Sequence, residues 1–179
     1  MKIYLISGKA RNGKSTLGEF IKNEYEKRGK KACELLYGSY IKYYAKTYFG
    51  WDGKEETKPR SLLQELGTEI IRKQIDPMFH VNRIMDDIKV LSYFYDVAII
   101  ADVREPIEIT TPKEKYDDVV SIKIVRTNFE SELSSKEQQH FTEVALDNFN
   151  DYDYEVLNDG TLEELNEKAI SIIEKEEVK

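Results

Sequence analysis

One cysteine, Cys33, stands in 179 residues. That excludes an internal disulfide and fits a reducing compartment, with Cys33 expected as a small buried apolar side chain. No apolar run approaches the ~20 residues a membrane-spanning helix needs, and the first apolar stretch turns polar too soon for a secretory signal. Internal repeats, low-complexity tracts and linker-like stretches are missing as well. Positive charge is in deficit: 34 acidic against 27 basic side chains leave a net charge of −7. Such a balance weighs against binding a nucleic-acid backbone over a broad surface, although a small polyanion can be held where a few cations gather. The expectation is a cytoplasmic protein of one domain, residues 1–179, monomeric or homodimeric, with neither membrane nor nucleic acid as partner. Apolar residues at 40% and charged residues at 34% give a globular balance, and the length suffices for one substantial core.

Strand and helix patterns alternate along the chain. Residues 2–6 (KIYLI) read as a buried strand. Leu17, Phe20, Ile21 and Tyr25 then recur at helical spacing over 14–28, and Gly29 supplies a stop. A second strand over 31–37 precedes a short tyrosine-rich helix near 40–48, and the charged, glycine-containing segment 50–59 reads as a loop. From Pro59 a helix carries Leu62, Leu63, Leu66, Ile70 and Ile71 on one broad face until Asp76-Pro77 breaks it. Val81, Ile84, Met85, Ile88 and Leu91 mark another amphipathic helix. The run in "DVAIIADVRE" (96–105) is apolar on both faces, as a central parallel strand requires. Residues 119–125 form a further strand and 152–157 a weaker one. Thr161-Leu-Glu-Glu164 is a capping box opening the last helix. This alternation predicts an α/β domain with a parallel sheet.

Two short stretches carry chemistry. Gly8-Lys9-Ala10-Arg11-Asn12-Gly13-Lys14-Ser15, followed by Thr16, fits G-x-x-x-x-G-K-[ST] between the first strand and the first helix. Glycines let successive backbone N–H groups turn inward around a phosphate, and the helix N-terminus aims positive potential at the same anion. Lys14 can reach the β- and γ-phosphates of a nucleotide, and the Ser15 hydroxyl can ligate Mg²⁺. ATP with Mg²⁺ is thus the expected cofactor pair. The second stretch ends the central strand with Asp102, where parallel sheets place ligands. Asp102 can orient Mg²⁺ or can cap the segment that follows it. Arg104 can face a phosphate or form an ion pair with Glu105 or Glu108.

The phosphate loop, "RSLLQELGTEIIRKQIDPMFHVNRI" (60–84), "IIADVREPIEI" (99–109) and "EVALDNFNDYDYEVLNDGTLEEL" (143–165) occur in an order that resembles the phage-type deoxynucleoside monophosphate kinases and the related animal-type phosphomevalonate kinases. The resemblance covers more than half the chain. It implies a three-layer P-loop kinase fold with a central five-stranded parallel sheet, an acceptor-binding helical region about 38–92, and a lid about 127–142. It also implies transfer of the ATP γ-phosphoryl group to the phosphate of a small acceptor, a (deoxy)nucleoside monophosphate first and phosphomevalonate second. Position by position, it places Lys9, Arg11 and Lys14 in the nucleotide loop. Lys42, Arg60, Arg72 and Arg104 fall on the acceptor side, and Arg126 at the start of the lid. The expected catalytic set is Lys14, Asp102, Arg104 and Arg126, with Ser15 and Asp102 for the metal.

Two departures stand out. Many members of these families have aspartate after the loop lysine where this chain has Ser15, and the lid segment contains one lysine and no arginine. Lys9, Arg11 and Arg126 are then candidates for the missing charge. The aromatics at Tyr37, Tyr40, Tyr43, Tyr44, Tyr48 and Phe49 could stack on a base or pack the core. A nucleotide-binding regulatory ATPase is the reading from a different class, and the lack of a guanine-reading N-K-x-D element weighs against a GTPase switch.

Overall fold

The computed structural model describes residues 1–127 and 144–178. Five parallel strands make the sheet: β1 (Lys2–Ser7), β2 (Ala32–Leu35), β3 (Val97–Val103), β4 (Val119–Val125) and β5 (Tyr154–Leu157), in the order β2-β3-β1-β4-β5. The helices are α1 (Lys14–Lys27), α2 (Ser39–Phe49), α3 (Arg60–Gln64), α4 (Phe79–Leu91), α5 (Ile107–Lys115) and α6 (Leu162–Glu177). A π-helical segment, Glu65–Ile75, runs straight on from α3.

The period-two pattern of β1 explains the layers. Tyr4 and Ile6 point to one face, where they meet Leu17 and Ile21 of α1 and Leu165, Ala169 and Ile173 of α6. Ile3 and Leu5 point to the other, against Val81, Ile84 and Ile88 of α4 and Ile109 of α5. All these side chains are buried. A sheet covered on both faces needs apolar residues at successive strand positions, as residues 3–6 of β1 and 97–101 of β3 show. The three-layer arrangement with five parallel strands is the architecture that the family resemblance implied. Cys33 packs partly buried against the second of these clusters.

Three local features differ from the sequence expectation. α5 lies in a stretch assigned no element, since Ile107, Ile109, Thr110 and Thr111 are β-branched and Pro112 stands inside the helix. Packing of Ile109 against the sheet overrides that poor propensity. The helix expected from Pro59 to Asp76 is present but widens after Gln64, closing with Asp76 N–H donating to Ile71 O over five residues at 2.8 Å. Apolar spacing alone does not distinguish this winding from an α-helix, and π segments concentrate at functional sites. Of the aromatics expected to stack or to pack the core, Tyr37 is buried in it, whereas on α2 Tyr43, Tyr44 and Tyr48 contact one another ring to ring. Tyr43, Tyr48 and Phe49 are exposed, while Tyr40 stacks edge-on against Phe79 with Arg83 above both rings.

Among the described residues no helix is long and apolar enough to cross a membrane. Apart from Thr127, the segment expected as a lid lies outside the described residues.

Candidate active site

The chain leaves β1 at the carboxyl edge of the sheet, between β3 and β4, and turns through residues 8–13 into α1. Gly8 has φ +151° and Gly13 φ +98°. A Cβ at Gly8 would collide with the backbone oxygen of Ile124 in β4, and one at Gly13 would stand 2.5 Å from Asn158 Nδ2. Both positions therefore need glycine for space as well as for conformation. Arg11 sits at φ +60°, a left-handed turn residue that is not glycine.

Asn12 ties the loop down. Its Nδ2 donates to Ile124 O at 3.3 Å, and its own carbonyl accepts from Asn158 Nδ2 at 2.9 Å. Asn158, just beyond β5, is thus a second anchor of the loop, which the loop pattern itself does not contain. Lys14 is 8% exposed, and its Nζ donates to Gly8 O at 2.8 Å and Lys9 O at 2.9 Å. The ammonium is thereby held in the concavity of the loop, where a phosphate would meet it. Lys9 is paired with Asp147 at the surface.

The loop forms one wall of a cleft of about 490 Å³. Ala10, Arg11, Lys14 and Ser15 line that wall. Lys42 of α2, Arg60 of α3, Arg72 of the π segment, and Asp102 and Arg104 at the end of β3 line the same cleft. All four residues expected on the acceptor side therefore share one cleft with the loop lysine. Gly8, Lys9, Asn12, Gly13 and Thr16 shape the loop without lining the cleft, and Arg126 is exposed past the end of β4, also outside the lining.

The carboxylate of Asp102 accepts from Tyr37 N–H at 2.9 Å and Gly38 N–H at 3.0 Å. It caps the turn after β2, not the segment after β3. Burial pulls the Lys42 ammonium below its ordinary pKa, with Asp102 acting the other way. Neither Glu105 nor Glu108 is the side-chain partner envisaged for Arg104, since both carboxylates go to Arg72. Arg72 Nη2 donates to Glu108 at 2.7 Å, and its Nε lies 2.5 Å from Glu105 Oε1, a contact whose N–H is not aligned as a hydrogen bond. Burial raises Glu105, opposed by Arg72, and pushes the fully buried Glu108 up to about 7.

Several lining residues lie outside the phosphate loop and the end of β3. Gln64, Thr68 and Arg72 follow one another at four-residue intervals along α3 and the π segment, beside the apolar face of Leu63, Leu66 and Ile71. His80, from α4, is 2% exposed, and its Nε2 donates to Gly67 O at 3.4 Å. Burial and the charge of Arg72 push its pKa down to about 4, so the ring is neutral near pH 7. At the mouth, Glu55 forms ion pairs with Lys58 at 2.9 Å and Arg60 at 3.0 Å.

No cluster of three or more metal-ligating side chains occurs among the described residues. Ser15 and Asp102 are instead a sparse oxygen pair on one cleft. That suits Mg²⁺, which keeps most of its waters and takes phosphate oxygens as further ligands.

A glycine-shaped anion loop at the switch point of a β2-β3-β1-β4-β5 sheet, facing a cation-lined cleft, defines a P-loop kinase, a phosphotransferase. The family model for deoxynucleotide monophosphate kinase matches residues 39–169, and the chain belongs to that family. The match begins beyond the phosphate loop, so loop and family are independent observations. Mycobacterium tuberculosis APS kinase CysC in complex with AMPPNP and APS superposes with a TM-score of 0.63 at 11% identity, over 97% of each chain. Shikimate kinase from Aquifex aeolicus shares 15% identity at a TM-score of 0.52, over 99% of each chain. Dephospho-CoA kinase from Campylobacter jejuni gives 14% and 0.52, over 98% of this chain and 97% of that one. These similarities are of fold. No curated protein sequence matches the chain at a significant level.

Proposed function

We propose that the chain, acting as a single domain in the cytoplasm, transfers the γ-phosphoryl group of ATP to the phosphate of a (deoxy)nucleoside monophosphate, giving the diphosphate. The observation that carries this reading is the cleft itself, in which Lys14 and Ser15 share one space with Lys42, Arg60, Arg72 and Arg104. The family supports a nucleotide as acceptor. So does the neutral hydrogen-bonding stripe of Gln64 and Thr68, with His80, which offers partners to a base edge.

The acceptor oxygen belongs to a phosphate monoester with a second pKa near 6. It is already largely ionised at neutral pH, so no general base is required, and the work is alignment and charge neutralisation. Lys14 holds the β- and γ-phosphates, while backbone N–H groups of the loop and the start of α1 hold the donor end. Lys42, Arg60 and Arg104 serve the acceptor phosphate, and Arg11 on the loop wall adds charge, with Lys9 and Arg126 further candidates from outside the lining. Mg²⁺, held by Ser15 and Asp102 directly or through water, adds positive charge on the donor phosphates when bound.

A coupled ADP-release assay with deoxynucleoside monophosphates and phosphomevalonate as acceptors tests this. Stoichiometric ADP release with at least one deoxynucleotide is expected. Turnover with phosphomevalonate alone, or ATP hydrolysis indifferent to every acceptor, would sink the proposal.

Glu55 gives a smaller test. Its carboxylate occupies Lys58 and Arg60 at the mouth, and exposed pairs of this kind are worth about 0–1 kcal/mol. Glu55→Gln is expected to tighten inorganic phosphate binding up to about fivefold in low-salt calorimetry, with the gain shrinking in added salt. Unchanged or weaker binding would mean that these two cations do not face the anion.

A further inference from the structure

We propose that Glu108 is the positioning residue of the acceptor side, a single buried carboxylate that sets Arg72 and Arg104 together. The inference rests on the acceptor reading given above and gives a positioning role to a residue that the sequence offered only as an ion-pair partner of Arg104.

Glu108 lies in the first turn of α5 and is 1% exposed. One oxygen, Oε1, accepts from Arg72 Nη2 at 2.7 Å. The other, Oε2, accepts from the backbone N–H of Arg104 at 2.6 Å and of Glu105 at 3.2 Å. The first contact fixes a guanidinium arriving from the π segment. The second fixes the backbone from which the Arg104 side chain enters the cleft. A third element joins through the main chain, since the Tyr37 hydroxyl donates to Glu108 O at 2.8 Å.

A plain helix cap needs only the contacts to the two backbone N–H groups, which a short polar side chain can make at the surface. Glu108 does this while buried and spends its other oxygen on a cation 36 positions earlier in the chain. Glutamine cannot replace it, because an amide offers one acceptor oxygen where two are in use. Charged groups surround it from several elements: Arg72 from the π segment, Glu105 from its own turn and Asp102 from the end of β3. Neutral His80 of α4 and Tyr37 complete the surroundings. Burial holds the carboxyl up at about 7, with Arg72 pulling it down, so mild acid protonates it and withdraws an acceptor from one of the two arginines.

The test measures steady-state KM for both substrates, and kcat, between pH 6 and 8.5, using the deoxynucleoside monophosphate that the wild-type protein phosphorylates best. For Glu108→Gln the acceptor KM is expected to rise about tenfold to a hundredfold, the range for losing hydrogen bonds to a charged group. The ATP KM should stay within about twofold, because no donor-side contact involves Glu108. The acceptor phosphate titrates near pH 6 in every variant, so the diagnostic is the ratio of variant to wild-type acceptor KM. That ratio should be largest at pH 8 and fall toward one at pH 6, where wild-type Glu108 is itself protonated.

A ratio independent of pH, or equal rises in both KM values, would overturn the assignment. If Glu108→Gln does not fold, Glu108→Asp decides. It keeps the charge but is one methylene short, and a raised acceptor KM with an unaltered ATP KM is expected. An acceptor KM equal to wild type for that variant would overturn the inference. Failure of the wild type to phosphorylate any deoxynucleotide would instead count against the underlying reading, before a variant is made.

Discussion

Lys14→Ala should retain its fold and lose phosphoryl transfer by about 10²–10³-fold or more, the scale for removing one pre-positioned group that stabilises transition-state charge. The fold should survive because the Nζ contacts are to carbonyl oxygens of its own loop, and the loop is independently held by Asn12, Ile124 and Asn158. The measurement is single-turnover transfer from ATP, with far-UV circular dichroism and a thermal melt as the control for folding. A variant turning over within about tenfold of wild type would remove Lys14 from the reaction, and with it the donor assignment of the whole loop.

Arg72→Met should destabilise the protein by about 3 kcal/mol at pH 8, the range for stripping one partner from a buried ion pair. Two carboxylates depend on that guanidinium, and both lie in the interior: Glu105 is 8% and Glu108 1% exposed. Methionine keeps much of the packing volume, so the loss is mainly electrostatic. The sign of the pH dependence follows from the raised carboxyls. In the folded state Glu108 binds its proton up to about 7, whereas unfolded it releases it near the ordinary value of 4.5. Between those values the folded form holds more protons, so this group's contribution to stability falls as pH rises. Without Arg72 the carboxyls shift higher still, and their protonation at low pH relieves the uncompensated charge. The deficit against wild type should therefore shrink between pH 8 and pH 6 in urea titrations. An equal deficit at both pH values would show that Arg72 acts through packing and not through charge.

What could be read from the chain follows the range of the forces involved. Strands β1 and β3 were legible because burial on both faces imposes apolar runs, and β4 because β-branched residues dominate it despite Ser121 and Lys123. The phosphate loop was legible because its glycines answer to local geometry. α5 was hidden by Pro112 and its β-branched neighbours, whose poor propensity only the contact of Ile109 with the sheet overcomes. The inner wall of the cleft was half visible. Arg72 and Arg104 could be named through the family resemblance, but not that Arg72 would be held between two glutamates. That arrangement exists only once the π segment lies against the β3–α5 turn. Asn158 was likewise present in the sequence as a polar residue after a weak strand, and only the pairing of β4 with β5 brings it to the loop.

The strand order bears on how the protein assembles. β1 has no partner near it in sequence: Lys2 lies opposite Val97, and Ile3 opposite Val119. Pairings this distant carry a large loop-closure entropy and form slowly. During synthesis, β1 emerges first yet has no neighbour until β3 is available, and its loop has no anchor until Ile124 and Asn158 follow. The first of the five strands to be made is therefore among the last to be organised. Until then its apolar strand is a hazard for misassociation, and the loop is fully anchored only after β5 and Asn158 have been made.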